Sequence, residues 1–323
     1  MTDVTKSSDG SENNSVINHL YGPVPSRRLR LSLGVDVVPF KYCSLDCIYC
    51  QLGRTTNKTV ERKEFFPVEQ ILQQLRERIG QGLQADYITI GGSGEPTLYS
   101  QLGVLLDEIK KITTIKTAVL TNSTLFSRDD VRADCAKADV VLPSLDAADS
   151  TVFGKINRPA ADVSFDSVVD GLIEFRKNYT GQIWLEVFMI KKINTDAEQI
   201  EKFKALISRI APDKVHLNTA VRPTAEPGIE IVGSDWLSEI ADKLGPGCEV
   251  IADFASVALP ESEGDNRDRV LSVLKRRPCS LDDVHNSLGI TRNELLKILG
   301  SLESEGLVSS ERKNSVVFYK AGY

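Results

Sequence analysis

Between about residues 32 and 218, short apolar runs alternate six times with amphipathic stretches. No other feature limits the fold as much. The strand-like runs lie at 33–38, 87–91, 117–121, 140–144, 183–190 and 214–218. Between the first two, Val68, Ile71, Leu72, Leu75 and Ile79 fall at i, i+3, i+4, i+7 and i+11, one face of a helix. Similar faces run through 102–112, 165–175 and 197–210. Strand–helix repeats imply parallel strands joined by helical crossovers, hence an α/β fold. In such barrels the chemistry gathers at the C-terminal ends of the strands.

The loop after the first strand holds Cys43, Cys47 and Cys50, spaced C-x3-C-x2-C. Three thiolates can hold three corners of an iron–sulfur cube, which needs four ligands. Nothing nearby supplies the fourth, and an iron left open binds a small molecule directly. That arrangement suits catalysis better than electron transfer. Two other readings stand beside it. Structural zinc normally takes four ligands, often from paired C-x2-C; here the one pair is Cys47 and Cys50, and His19, His216 and His285 are not close by. Unliganded thiols are the other. A disulfide framework needs a secreted and usually short chain, whereas this one has 323 residues, six cysteines and no signal peptide. Cys135, Cys248 and Cys279 sit in or beside apolar patterns, where a free buried cysteine is common. The second strand ends in Ile90-Gly-Gly-Ser-Gly-Glu-Pro-Thr97. Glycines there let a ligand approach the backbone, and the bland alternative is an ordinary Gly-rich turn.

With the aromatic Tyr49 before its last cysteine, the motif resembles that of the radical S-adenosylmethionine superfamily. The segment from Tyr21-Gly-Pro-Val-Pro-Ser-Arg-Arg-Leu29 through Cys47-Ile-Tyr-Cys-Gln-Leu-Gly53 is similar to a narrower group. These are poorly characterised relatives of the wybutosine-synthesis radical enzymes, which modify transfer RNA. The resemblance spans about residues 20–260, with one departure at Arg30, where the group has a glycine. It implies a partial (β/α)6 barrel with a [4Fe–4S] cluster on Cys43, Cys47 and Cys50. It also implies S-adenosylmethionine, its amino group received at Gly91, Gly92, Gly94 and Glu95, and a reductant such as flavodoxin or ferredoxin. The implied reaction is reductive cleavage of S-adenosylmethionine to a 5′-deoxyadenosyl radical, which takes hydrogen from an unidentified substrate.

Further candidates follow from position. Asn122, Ser144 and Asp146 end the third and fourth strands. They are expected either to bond the ribose or carboxylate of the cofactor, or to cap helices and close Asx turns. Glu186, Asn218 and Arg222, in or after the fifth and sixth strands, are candidates to meet adenosine or substrate. Arg27 and Arg28 are candidates to face an anionic substrate.

The domain expectations are a disordered tail over 1–19, the barrel over 20–259, a polar linker over 260–265 and a winged helix over 266–323. The last reading rests on a helix at 267–275, capped helices after Ser280 and Thr291, and a hairpin around Arg312-Lys-Asn. Leu295, Leu296, Leu299 and Leu302 form the apolar face of the third helix. Net charge is −6, so bulk charge does not make the chain a polyanion binder. Residues 265–323 carry ten Lys and Arg against eight Asp and Glu. Lys275, Arg276, Arg277, Arg312 and Lys313 are placed to contact phosphate if the winged helix recruits nucleic acid; a peptide is the other partner considered. All the cofactor motifs belong to the barrel. No apolar run approaches the roughly 20 residues a bilayer requires, and an oxygen-sensitive cluster fits a cytoplasmic location. The competing function is an iron–sulfur redox sensor that binds DNA through the winged helix.

Overall fold

The computed structural model of the chain describes residues 17–26, 28–252, 265–313 and 316–322. Residues 1–16 of the expected tail, residues 260–264 of the expected linker and Arg27 lie outside them.

The first half runs β1 (Leu20–Ser26), β2 (Arg30–Val35), β3 (Tyr42–Cys43), β4 (Asn57–Lys58), α1 (Val68–Gly80), β5 (Tyr87–Ile90), α2 (Leu102–Ile112), β6 (Lys116–Thr121), α3 (Asp129–Cys135), β7 (Val140–Pro143) and α4 (Ser150–Asn157). Then come α5 (Phe165–Asn178), β8 (Gln182–Met189), α6 (Ala197–Ile210), β9 (Lys214–Thr219), α7 (Ser234–Leu244) and β10 (Cys248–Val250). The sheet order is β1-β2-β5-β6-β7-β8-β9-β10. From β2 onward every pairing is parallel, and β1 closes the edge antiparallel to β2. The six expected strands are all present. Their C-terminal ends line up, with Val35 beside Ile90, Ile90 beside Val119, and Thr121 beside Pro143. Strands β1 and β10 add to the six. Tyr21-Gly-Pro-Val24 carries a bulge, and the three residues of β10 are too short for a periodic signal. Arg30 has φ +55°, the left-handed conformation that glycine adopts without steric cost.

The strands are buried on both faces, as a parallel sheet between helices requires. Ile71, Leu72 and Leu75 of α1, Leu105, Leu106 and Ile109 of α2, and Val168, Leu172 and Phe175 of α5 share one apolar cluster with Leu33, Ile88, Val119 and Val141. No helix among the described residues is long and apolar enough to cross a membrane.

The C-terminal segment comprises α8 (Asn266–Leu274), β11 (Cys279–Ser280), α9 (Leu281–Leu288), α10 (Arg292–Ser304), β12 (Val308–Lys313) and β13 (Val316–Ala321). Its strands pair antiparallel in the order β11-β13-β12. Ser280 and Asp283 cap α9 reciprocally, and Thr291 caps α10. The segment has its own core around Val270, Val284, Leu295, Leu299 and Leu302. Leu296 is 50% exposed, against the expectation that it joins this face; it is one residue, about 100° of helix turn, beyond Leu295. Val24 of β1 packs against this second core, so the segment rests on the edge of the sheet.

Helix α5 supports the turn that follows β6. Phe175 stacks on Phe126 with centroids 4.7 Å apart, and a Cβ at Gly171 would meet the Phe126 carbonyl carbon at 2.5 Å. Alanine is favoured over glycine in a helix by about 1 kcal/mol, but the contact here is with backbone that cannot swing aside. Gly171→Ala should therefore destabilise the protein by about 1–3 kcal/mol, seen as a lower urea midpoint. An unchanged midpoint would mean that the turn yields.

Candidate functional site

The loop after β2 is held in place by backbone bonds. Lys41 N–H donates to Ser93 O at 2.7 Å, Glu95 N–H to Tyr42 O at 2.9 Å, Asp46 N–H to Asn157 O and Ile48 N–H to Ile156 O, both at 2.9 Å. Its thiols, Cys43, Cys47 and Cys50, face one cavity of about 400 Å³ at the C-terminal ends of the strands. Each sulfur receives an N–H donor. Asn122 Nδ2 lies 3.4 Å from Cys43 Sγ, Asn157 Nδ2 3.4 Å from Cys47 Sγ, and Lys41 Nζ 3.1 Å from Cys50 Sγ. Burial pushes the Cys43 thiol up to about 12, the nearby Glu95 charge adding to it, and burial raises Cys47 as well. Buried thiols become thiolates when positive charge joins them, and metal coordination supplies it. Among the described residues, no three Cys, His, Asp or Glu side chains gather closely enough to hold a single metal ion.

The glycine loop after β5 forms the adjacent wall, with Gly92, Gly94 and Glu95 lining the same cavity. Gly92 has φ +151°, and a Cβ there would meet Asp36 Oδ1 at 2.3 Å. A Cβ on Gly94 would meet Tyr42 O at 2.1 Å. Only glycine lets this loop lie so close to the cysteine loop. The Gly91 carbonyl accepts from Tyr21 OH at 2.7 Å.

Glu95 is 2% exposed. Its Oε1 accepts from Thr97 N, Thr97 Oγ1 and Thr121 Oγ1 at 3.0, 2.6 and 2.7 Å, and its Oε2 accepts from Asn122 N at 2.7 Å. Burial raises its pKa while these donors pull it down. The carboxylate is thus a bracket between the ends of β5 and β6.

Asn122 and Ser144 line the cavity. Asn122 also donates to Ser44 Oγ at 2.9 Å, and the Ser144 carbonyl accepts from Ser123 Oγ at 2.8 Å. Asp146 lies behind the wall, 4% exposed. It accepts from Tyr49 OH, from Asn157 Nδ2 at 2.9 Å and from Phe188 N at 3.0 Å. It therefore orients two groups that face the cysteines. Tyr49 also stacks on Phe188 at 3.9 Å.

On the far wall, Arg28 pairs with Glu186, which also accepts from Asn218 Nδ2 at 3.1 Å. Burial, with Arg277 nearby, lowers Arg28 to about 10. Arg222, 2% exposed, lines the cavity and meets Asp283 of α9 at 3.3 Å.

The five cations expected to face phosphate divide. Lys275 and Arg312 are exposed, but Arg276 and Arg277 line the cavity. Lys313 donates to the carbonyls of Ala220 at 3.0 Å and Arg222 at 2.8 Å. Two residues of the C-terminal segment thus line the same cavity as the cysteine and glycine loops of the barrel. Asp36, Lys41, Asn157 and these arginines form the part of the site that sequence reasoning missed. Lys41 adjoins the cysteine motif and was open to notice; nothing in sequence marks Asn157, about 110 residues from Cys47.

Residues 37–204 match the Radical SAM superfamily. A UPF0026 protein of Methanocaldococcus jannaschii is 34% identical over 307 residues, 93% of this chain and 94% of its own length. A Brachyspira hyodysenteriae protein named GTPase Obg is 36% identical over 304 residues, 93% of this chain, which spans only 45% of that protein. Among solved structures, Streptococcus suis SuiB bound to precursor peptide SuiA aligns with a TM-score of 0.51 at 19% identity, covering 67% of this chain and 46% of that one. That likeness is one of fold. With its parallel sheet, its three-cysteine loop and these matches, the chain belongs to the radical SAM superfamily, enzymes that use S-adenosylmethionine and a [4Fe–4S] cluster.

Proposed function

We propose that Cys43, Cys47 and Cys50 hold the [4Fe–4S] cluster and that the Gly91–Glu95 loop cradles S-adenosylmethionine beside it. The observation that carries this reading is that three sulfurs and the glycine loop share one cavity, with an N–H donor on every sulfur. A cube spreads its thiolates over three irons, whereas zinc draws its ligands to within about 2.3 Å of one point. When bound, the two groups together supply a 5′-deoxyadenosyl radical that takes hydrogen from an unactivated carbon, and the protein's part is to bind, orient and exclude water.

The residues divide this work. Asn122, Asn157 and Lys41 bond the three sulfurs, and such bonds tune a cluster's potential. Asp146 holds Asn157 and Tyr49 in position, and Glu95 anchors the cradle instead of spending its charge on a ligand. Ser144, Asn218 and the Arg28–Glu186 pair line the rest of the cavity, where adenosine and substrate meet. We read residues 266–323 as a winged helix and the substrate as a group on an RNA or a peptide that reaches into this cavity. An external reductant, flavodoxin or ferredoxin in type, supplies the electron. The redox-sensor alternative finds no support in the relatives, and Arg276 and Lys313 are turned away from any external DNA.

Anaerobic reconstitution should load about four irons and four sulfides per chain. Cys47→Ala should lose them, while Asn157→Ala keeps the iron but shifts the cluster's reduction potential. Full zinc occupancy with no iron would refute the assignment. Reduced, loaded protein should convert S-adenosylmethionine to 5′-deoxyadenosine and methionine. Gly94→Ala should abolish this, because the added Cβ separates the two loops; wild-type turnover in that variant would remove the cradle from the argument. Binding of total cellular RNA should show a shallow salt slope, about −1.4 if only Lys275 and Arg312, the exposed two of the five cations expected to face phosphate, make contacts at about 0.7 each. A steep slope would point to a phosphate surface elsewhere on the chain.

A further inference from the structure

Arg276 lies just beyond α8, about 180 residues after the glycine loop, yet two short paths join it to that loop. Its Nη2 is 2.7 Å from Asp36 Oδ2. Asp36 in turn accepts from Ser93 N at 2.6 Å and from Ser93 Oγ at 2.9 Å. The Arg276 guanidinium also lies over the Tyr21 ring, 4.4 Å from its centroid, and the Tyr21 hydroxyl donates to Gly91 O at 2.7 Å. Both arms end on the proposed cradle two residues apart, one at Ser93 and one at Gly91. The ion pair is shielded, its side chains 14% and 10% exposed, so its attraction is screened little by solvent. Asp36 also approaches Gly92 so closely that a Cβ could not fit between them.

We propose that Arg276 is a positioning residue for S-adenosylmethionine, supplied by the C-terminal segment. It fixes Asp36 and Tyr21, and through them sets the backbone of residues 91–93. The inference rests on the reading of that loop as the cofactor cradle. In a loop rich in glycine the unfixed backbone samples many conformations, and ordering it on binding costs affinity. The segment removes that cost in advance, so cofactor affinity depends on its being docked.

Equilibrium titration of S-adenosylmethionine into the anaerobically reconstituted full-length protein tests this, with 5′-deoxyadenosine formation giving KM and kcat. Arg276→Ala and Asp36→Asn should each weaken binding about tenfold, the scale of one hydrogen bond to a charged group. The double variant should be no weaker than the worse single one, because removing Arg276 already disables the Asp36 arm. Arg276→Lys keeps the charge and should stay within about threefold of wild type. Iron content and kcat at saturating cofactor should hold within about twofold throughout, and Lys297→Ala, an exposed cation on α10, should change nothing. If Arg276→Ala does not fold, Arg276→Lys and Asp36→Asn still decide the matter. Wild-type affinity in Asp36→Asn, or an additive loss of about a hundredfold in the double variant, overturns the inference while leaving the cradle in place. A wild-type protein that loads its cluster but does not bind S-adenosylmethionine overturns the cradle reading, and the inference with it.

Discussion

A carboxylate buried away from water must find donors or give up its charge. In this chain Glu95 meets that requirement with four hydrogen bonds, and the surrounding site is assembled around it. Two bonds close the turn after β5. A third reaches Thr121 at the end of β6. The fourth takes the backbone of Asn122, whose side chain bonds Cys43. The glycine loop, β6 and the cysteine loop are therefore registered against one buried group. Removing one partner of such a group costs several kcal/mol, because the rest is left unsatisfied.

The opposite wall follows the same rule. Asp146 is equally buried and is satisfied by Tyr49, Asn157 and the Phe188 backbone. Two buried acids thus fix Asn122 and Asn157, whose amides bond Cys43 and Cys47. The arginines that line the cavity are paired with Glu186, Asp36 and Asp283. Two of these pairs cross from the sheet to the C-terminal segment. Together with the Lys313 bonds to Ala220 and Arg222, they hold that segment at the mouth of the site.

Much of this was legible in the residues alone. The 3.6 and 2.0 periodicities come from backbone geometry, so α1, α2, α5, α6 and the six parallel strands could be read locally. The cysteine and glycine motifs were legible because close chemistry at short spacing needs particular residue types. The roles of Glu95 and Asp146 were not. Whether a carboxylate faces a ligand or braces a wall depends on donors that arrive from other elements, such as Thr121 of β6, Asn157 of α4 and Phe188 of β8.

By itself, then, the sequence determined the parallel α/β architecture, the three-cysteine loop and its glycine-rich neighbour, because each is written within a few turns of chain. Only the tertiary structure decided that Asn157 reaches Cys47, that Lys313 and Arg276 turn inward, and that the C-terminal segment helps to form the cavity. Those are contacts between residues up to about 255 positions apart. For Lys313 and Arg276 the pairing follows from how the segment packs on β1, a surface match that no local periodicity encodes.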